Sequence, residues 1–294
     1  MEILVYILSG ILAIAASVNA VGDQILKNTI ESQVKSVDTL AVRIDNAPNY
    51  NALSGKVQRV RVATRDLEIS DAIAFKALEL DIDGINVKLR EWLNEDLVSE
   101  IDGVPTLRLR ELVEQPVNMA SRIVLTQEQL DSILQSETLS LGLSQILEDI
   151  LNRVDEDDKD FTVSSFRLDL IDTNRVAVRM KIPDPQGEIG KINEELDVDL
   201  ELGIEVIDGK SFEFSDQKVF VNGEEIEREY EILIARPITL EILEQLGIQA
   251  RIIDWKSDDN ELELALAIRA NQFAATALLD ASELIKAAEL LLGE

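Results

Sequence analysis

Between Leu196 and Val206 every second residue is aliphatic: Leu196, Val198, Leu200, Leu202, Ile204 and Val206 alternate with Asp197, Asp199, Glu201, Gly203 and Glu205. A side-chain period of two belongs to a β-strand with one face buried and the other in water. Asp208-Gly209 closes the run, a dipeptide suited to a type I′ hairpin, so the partner strand is expected to return antiparallel through Phe212 and Phe214. The same style recurs along the chain. Leu78, Leu80 and Ile82 alternate with Glu79, Asp81 and Asp83, and Gly84 then shifts the phase, as a hairpin or bulge would. Phe166, Leu168 and Leu170 lead to a turn at Asp172-Thr173-Asn174, and Val176, Val178, Met180 and Ile182 return. Further strands are expected from Val57, over 104–112 and 117–125, before the Asn222-Gly223 turn, and on both sides of Asp258-Asp259-Asn260.

Helical periodicity is confined to a few segments. Val18, Val21, Ile25, Leu26, Ile30, Val34 and Val37 recur at spacings of three and four, which predicts an amphipathic helix over 18–37. Thr126 followed by Gln129 has the capping-box spacing and opens a second helix carrying Leu130, Ile133 and Leu134. Shorter helices are expected around 89–99 and between Pro237 and Gly247, with a Leu/Ala-rich one over 270–292. The expected fold class is α+β: long, twisted antiparallel β-sheets curling around a few helices. If a sheet curls around a helix too narrow to fill it, the remainder of its inner face is an apolar groove.

Hydrophobic residues make up 46% of the chain and aromatics only 4%, so the interior must be aliphatic. There is no Cys and no His. That excludes disulfides, thiolate metal sites, cysteine nucleophiles and the Ser-His-Asp triad, and no cofactor is expected. The net charge of −29 argues against a nucleic-acid partner. Residues 1–124 carry 13 basic and 18 acidic residues, and the remaining 170 carry 15 and 39, so the C-terminal part is the more strongly repelled by an anionic bilayer.

Residues 3–22 hold no charge and would span about 30 Å as a helix. Three readings compete: a signal peptide ending at Val18-Asn19-Ala20, an uncleaved anchor, and a helix buried in the domain's own core. The expected organisation is therefore a hydrophobic anchor, signal or buried helix over 1–22, then a single elongated domain over 23–294 with a candidate sub-boundary near 152–160, inside an acidic loop.

Two segments carry a family resemblance. Val37 to Leu67 reads VDTLAVRIDNAPNYNALSGKVQRVRVATRDL, and Gln115 to Leu134 reads QPVNMASRIVLTQEQLDSIL. With the helix before them they resemble the LmeA-like phospholipid-binding family, closest to its cyanobacterial branch, over roughly 18–270. The resemblance implies a fold similar to the tubular lipid-binding superfamily, phospholipid as ligand, and a membrane-associated, cell-envelope or periplasm-like location, with a cytoplasmic membrane-peripheral location as the alternative. It brings no catalytic residues.

Other constellations read as structure. Glu79, Asp81 and Asp83 have Leu80 and Ile82 between them and no acidic residue at the closing position of a calcium loop, so an acidic strand face explains them. No Gly-rich phosphate loop is present. Arg59, Arg61 and Arg65 form a basic stretch that could contact a lipid head-group phosphate, although cross-strand pairing with carboxylates is the weightier reading. Val198, Leu200, Leu202 and Ile204 are the candidates for an acyl-chain groove. The expected function is non-enzymatic phospholipid binding or transfer at a membrane. The alternative is a membrane-associated scaffold with a filled core and no ligand.

Overall fold

The computed structural model describes residues 22–45, 56–86, 98–101, 104–107, 116–135, 163–184, 194–226 and 237–270. In chain order these form α1 (Gly22–Gln33), β1 (Ser36–Asp45), β2 (Lys56–Glu68), β3 (Ala74–Asn86), β4 (Val98–Ile101), β5 (Val104–Leu107), β6 (Val117–Thr126) and α2 (Gln127–Leu134). They continue as β7 (Ser165–Asp172), β8 (Arg175–Asp184), β9 (Glu194–Ile207), β10 (Ser211–Val221), β11 (Glu224–Glu225), β12 (Ile238–Thr239), a 3-10 helix (Leu240–Leu246), β13 (Ile248–Ser257) and β14 (Glu261–Ala270). The described residues are thus mostly antiparallel strand. The expected segments 1–21, 89–97, 108–112, 152–160 and 271–292 lie outside them.

Two large open sheets, beside a two-stranded β4-β5 ribbon, organise the described residues. The first has the order β1-β2-β3-β6-β14-β13, and the second β11-β10-β9-β8-β7 with β12 added beside β10. Every pairing is antiparallel. The hairpin turns follow the sequence: Asp208 and Gly209 both take positive φ, as do Asn222 and Gly223, the type I′ form whose twist matches the strands it joins. Gly84 also has positive φ, but β3 runs on through it to Asn86 without a register change against β2, so the phase shift is a local kink and not a hairpin.

The first helix is shorter than its apolar spacing predicts. It ends at Gln33, and Val37 instead pairs with Leu67 in the first sheet. Asp23 Oδ1 accepts a 3.0 Å bond from the Ile44 backbone N–H, which ties the start of α1 to β1, and Ile30 is buried against the sheet. The second helix has the expected capping box: Thr126 accepts from the Gln129 backbone N–H, and the Gln129 side chain accepts from the Thr126 N–H.

Gln127, at the first position of α2, joins the two sheets. Its side-chain Oε1 accepts from the Leu170 N–H at 2.7 Å, and its Nε2 donates to the Leu168 carbonyl at 2.8 Å. The amide thus takes the place of a strand partner along the edge strand β7. Its own backbone N–H donates to the Asn260 carbonyl in the β13–β14 turn. Replacing Gln127 by Ala leaves both β7 groups to water or to nothing. The expected cost is about 1–3 kcal/mol in a urea titration, with amide exchange accelerated at Leu170.

Candidate functional site

The register assigns each side chain to a face. On the inner face of the first sheet lie Val60, Val62 and Thr64 of β2, Leu78, Leu80 and Ile82 of β3, Met119, Ser121 and Ile123 of β6, Leu264, Leu266 and Ile268 of β14, and Ile248 and Ile252 of β13. In the second sheet the apolar face is the alternating set of the sequence: Leu170, Val176, Met180, Ile182, Leu196, Val198, Leu200 and Leu202 are buried along it.

Three buried clusters rest on these faces. One joins α1 to β1, β2 and β3 around Val60 and Leu78, and one joins α2 to the second sheet around Val176 and Leu202. The third is a small group of Ile248 and Ala270 with Leu243 of the 3-10 helix. Between them, β6 and β14 of the first sheet are less fully covered. Met119, Ile123, Leu264, Leu266 and Ile268 face inward yet remain half-buried, while strands on both sides of them bury theirs. Among the described residues, Leu264 and Leu266 join none of the three clusters.

The strip continues toward the second sheet. Trp255 sits opposite Leu264 on β13, and its ring meets Phe212 of β10 edge-on, with centroids 5.4 Å apart. Phe212, Phe214, Ile204, Val206, Val219 and Val221 are all half-buried on the apolar face there. The apolar surface therefore runs from β6 and β14 of the first sheet to the rim of the second, through aliphatic and a few aromatic side chains, with Ser121 facing inward along it. Such a surface can hold a hydrocarbon chain by burial and offers little to orient a polar reactant.

The family comparison points the same way: the LmeA-like phospholipid-binding family matches the chain over residues 18–267. The chain belongs to that family. No curated protein and no solved structure matches it. For this LmeA-like chain, no helix among the described residues is long and apolar enough to cross a membrane, and no group of three or more acidic residues there could hold a metal ion.

The candidates from the sequence fall on opposite sides of this architecture. Val198, Leu200 and Leu202 are buried in the second cluster, and Ile204 is half-buried beside Phe214, its partner on β10. Arg59, Arg61 and Arg65 point from the outer face of the first sheet, away from the apolar strip. Arg59 donates from Nε to Asp81 at 2.7 Å and lies 3.4 Å from Asp83, Arg61 is bonded to Asp45, and Arg65 donates to Glu79 at 2.7 Å. A phosphate would have to displace these carboxylates. Sequence reasoning missed the Leu264–Leu266 strip, although the Asp258–Asn260 turn fixes the hairpin that aligns it with Trp255 and Ile252.

Carboxylates on the outer face and in the adjoining turns are held below their ordinary range by their partners. Arg122 holds Glu263 at both oxygens, 2.6 and 3.0 Å, and keeps its carboxyl below the usual range. Hydrogen bonds from Arg61 and Arg43 lower Asp45, Lys35 lowers Asp71, and the backbone N–H groups of Asn260 and Glu261 lower Asp258. Groups lowered in the folded state stabilise it fully above their unfolded values, near pH 4. That contribution is lost as pH falls through the folded values. Thermal melting across this acid range should show Tm falling, and Glu263→Gln should flatten part of the fall while lowering Tm at neutral pH.

Proposed function

We propose that this protein binds phospholipid without catalysing a reaction, holding acyl chains along the half-buried strip formed by Met119, Ile123, Leu264, Leu266 and Ile268. The observation that carries the reading is the pair Leu264 and Leu266, inward-facing on a strand paired on both sides and, among the described residues, outside the three buried clusters. Membership of a phospholipid-binding family supports it. Of the candidates Val198, Leu200, Leu202 and Ile204, Ile204 lies at the open side of this surface, while Val198, Leu200 and Leu202 pack behind it in the buried cluster. In this reading residues 23–294 act as one elongated domain whose sheets curl in the tubular manner. The N-terminal segment keeps the domain at a membrane of the cell envelope, and lipid is taken up or transferred there.

The energetics suit a carrier. Each CH₂ taken from water is worth about 0.8 kcal/mol, so a chain of ~16 carbons is held by on the order of 10 kcal/mol. Aliphatic walls select for chain burial more than for head-group identity.

Native mass spectrometry of the full chain, purified without harsh detergent, should show adducts in the mass range of one or two phospholipids. A delipidated chain that carries no adduct and takes up no fluorescent phospholipid would leave a filled-core scaffold as the function.

A further inference from the structure

The outer face of the first sheet is a ladder of ion pairs. Arg43 and Arg61 share Asp45, Arg59 engages Asp81 and Asp83, Arg65 and Arg122 share Glu79, and Arg122 also holds Glu263. On the second sheet Arg167 and Arg179 converge on Asp169, and Arg175 reaches Glu201. With 57 acidic residues to 28 basic ones, carboxylates outnumber the cations available to pair with them.

Arg251 and Arg269 depart from it. Both are exposed, and among the described residues neither has an ion pair. Register is the cause. Arg251 on β13 lies opposite Ala267, and Ala267 lies opposite Ala120 on β6. Arg269 on β14 lies between Gln249 and Asn118. Every cross-strand neighbour of the two arginines is therefore neutral. The nearest carboxylates along the face are already engaged, Asp254 by Lys256 and Asp81 and Asp83 by Arg59. As diagonal neighbours on one face, the two arginines stand roughly 7–8 Å apart at the backbone, within joint reach of a single small anion.

The surface between them is recessed. A depression of about 320 Å³ is lined by Arg251, Arg269, Asn118 and Gln249 on one side and by the Arg59, Asp81 and Asp83 ion-pair group on the other, with Ala120 and Ala267 among the residues beneath. Two guanidinium forks and two carboxamides supply donors around it, which suits a ligand with several acceptor oxygens and a negative charge.

We propose that Arg251 and Arg269, with Asn118 and Gln249, form a phosphoryl-binding site on the outer face of the first sheet. The site lies on the side opposite the apolar strip, so it is separate from acyl-chain binding and stands whether or not lipid occupies that strip. The net charge of −29 repels anions at long range. Capture therefore depends on contact, where charge-assisted bidentate bonds are strongest.

The test uses the full chain and two probes: inorganic phosphate followed by calorimetry, and phosphatidylcholine vesicles with and without phosphatidic acid followed by flotation. The variant Arg251→Gln/Arg269→Gln is compared with Arg43→Gln/Lys218→Gln, which removes the same charge from other exposed positions. Binding of at least one probe should weaken by about tenfold or more in the first variant and stay near wild type in the second. Loss confined to vesicles identifies a lipid head group as the source of the phosphoryl group, and loss confined to phosphate identifies a free phosphate or soluble ester. The proposal falls if neither probe binds the wild-type chain, if the first variant binds like wild type, or if both variants weaken equally.

Discussion

Replacing Leu266 by Trp should abolish uptake of fluorescent phospholipid while leaving thermal stability close to wild type. Leu266 points inward between Ile252 and Ser121 and, among the described residues, packs in none of the buried clusters, so an indole there takes space that an acyl chain would use. Leu200→Trp is the matched control. Leu200 is 4% exposed, inside the second cluster. Overpacking at such a site costs about 1–3 kcal/mol, and each kcal/mol lowers Tm by about 2–4 °C in a protein of this size. Opposite outcomes at two inward leucines separate an open surface from a filled core. If Leu266→Trp destabilises as much as Leu200→Trp and spares uptake, the strip is ordinary core.

The second large effect is expected at the seam between the sheets. Gly209 has positive φ, and its carbonyl accepts a 2.7 Å bond from the Ile252 N–H of β13. A Cβ at this position would meet the Ile252 carbonyl oxygen at 2.9 Å, backbone against backbone. Gly223 also has positive φ, but a Cβ there would meet nothing within 4 Å. Gly223→Ala should therefore cost about 1 kcal/mol, from conformation alone. Gly209→Ala should cost a further 1–3 kcal/mol or so, because the seam must open and a half-buried backbone pair is lost. Urea titrations of the two variants give the comparison directly. Equal losses would show that the seam contributes nothing.

Much of the strand pattern was legible because it is local. The alternation through Leu196–Val206, the turns at Asp208-Gly209, Asn222-Gly223 and Asp258–Asn260, and the capping box at Thr126 each need only a few neighbouring residues. The first helix was overextended because Val34 and Val37 fit a spacing of three, while β1 already claims Ser36 onward. What local pattern does not carry is the order of strands. Nothing near Met119 or Leu266 says that β6 and β14 lie side by side, and without that pairing the half-buried strip cannot be seen. The outer arginines illustrate the same limit: Arg59 and Arg251 look alike in sequence, and only register gives one a carboxylate and the other an alanine.

The pairing of β6 with β14 also has a consequence for biosynthesis. Arg122 and Glu263, bonded across it, are 141 positions apart, and the whole second sheet is made between them. A chain emerging from the ribosome can assemble β1, β2, β3 and β6 early, but that four-stranded unit has an unpaired edge at β6 until the last hairpin arrives. Closing so distant a contact is slow, and an unpaired edge with an apolar face is a template for wrong pairing. Chains arrested before β14 should therefore depend on chaperones in a way that completed chains do not.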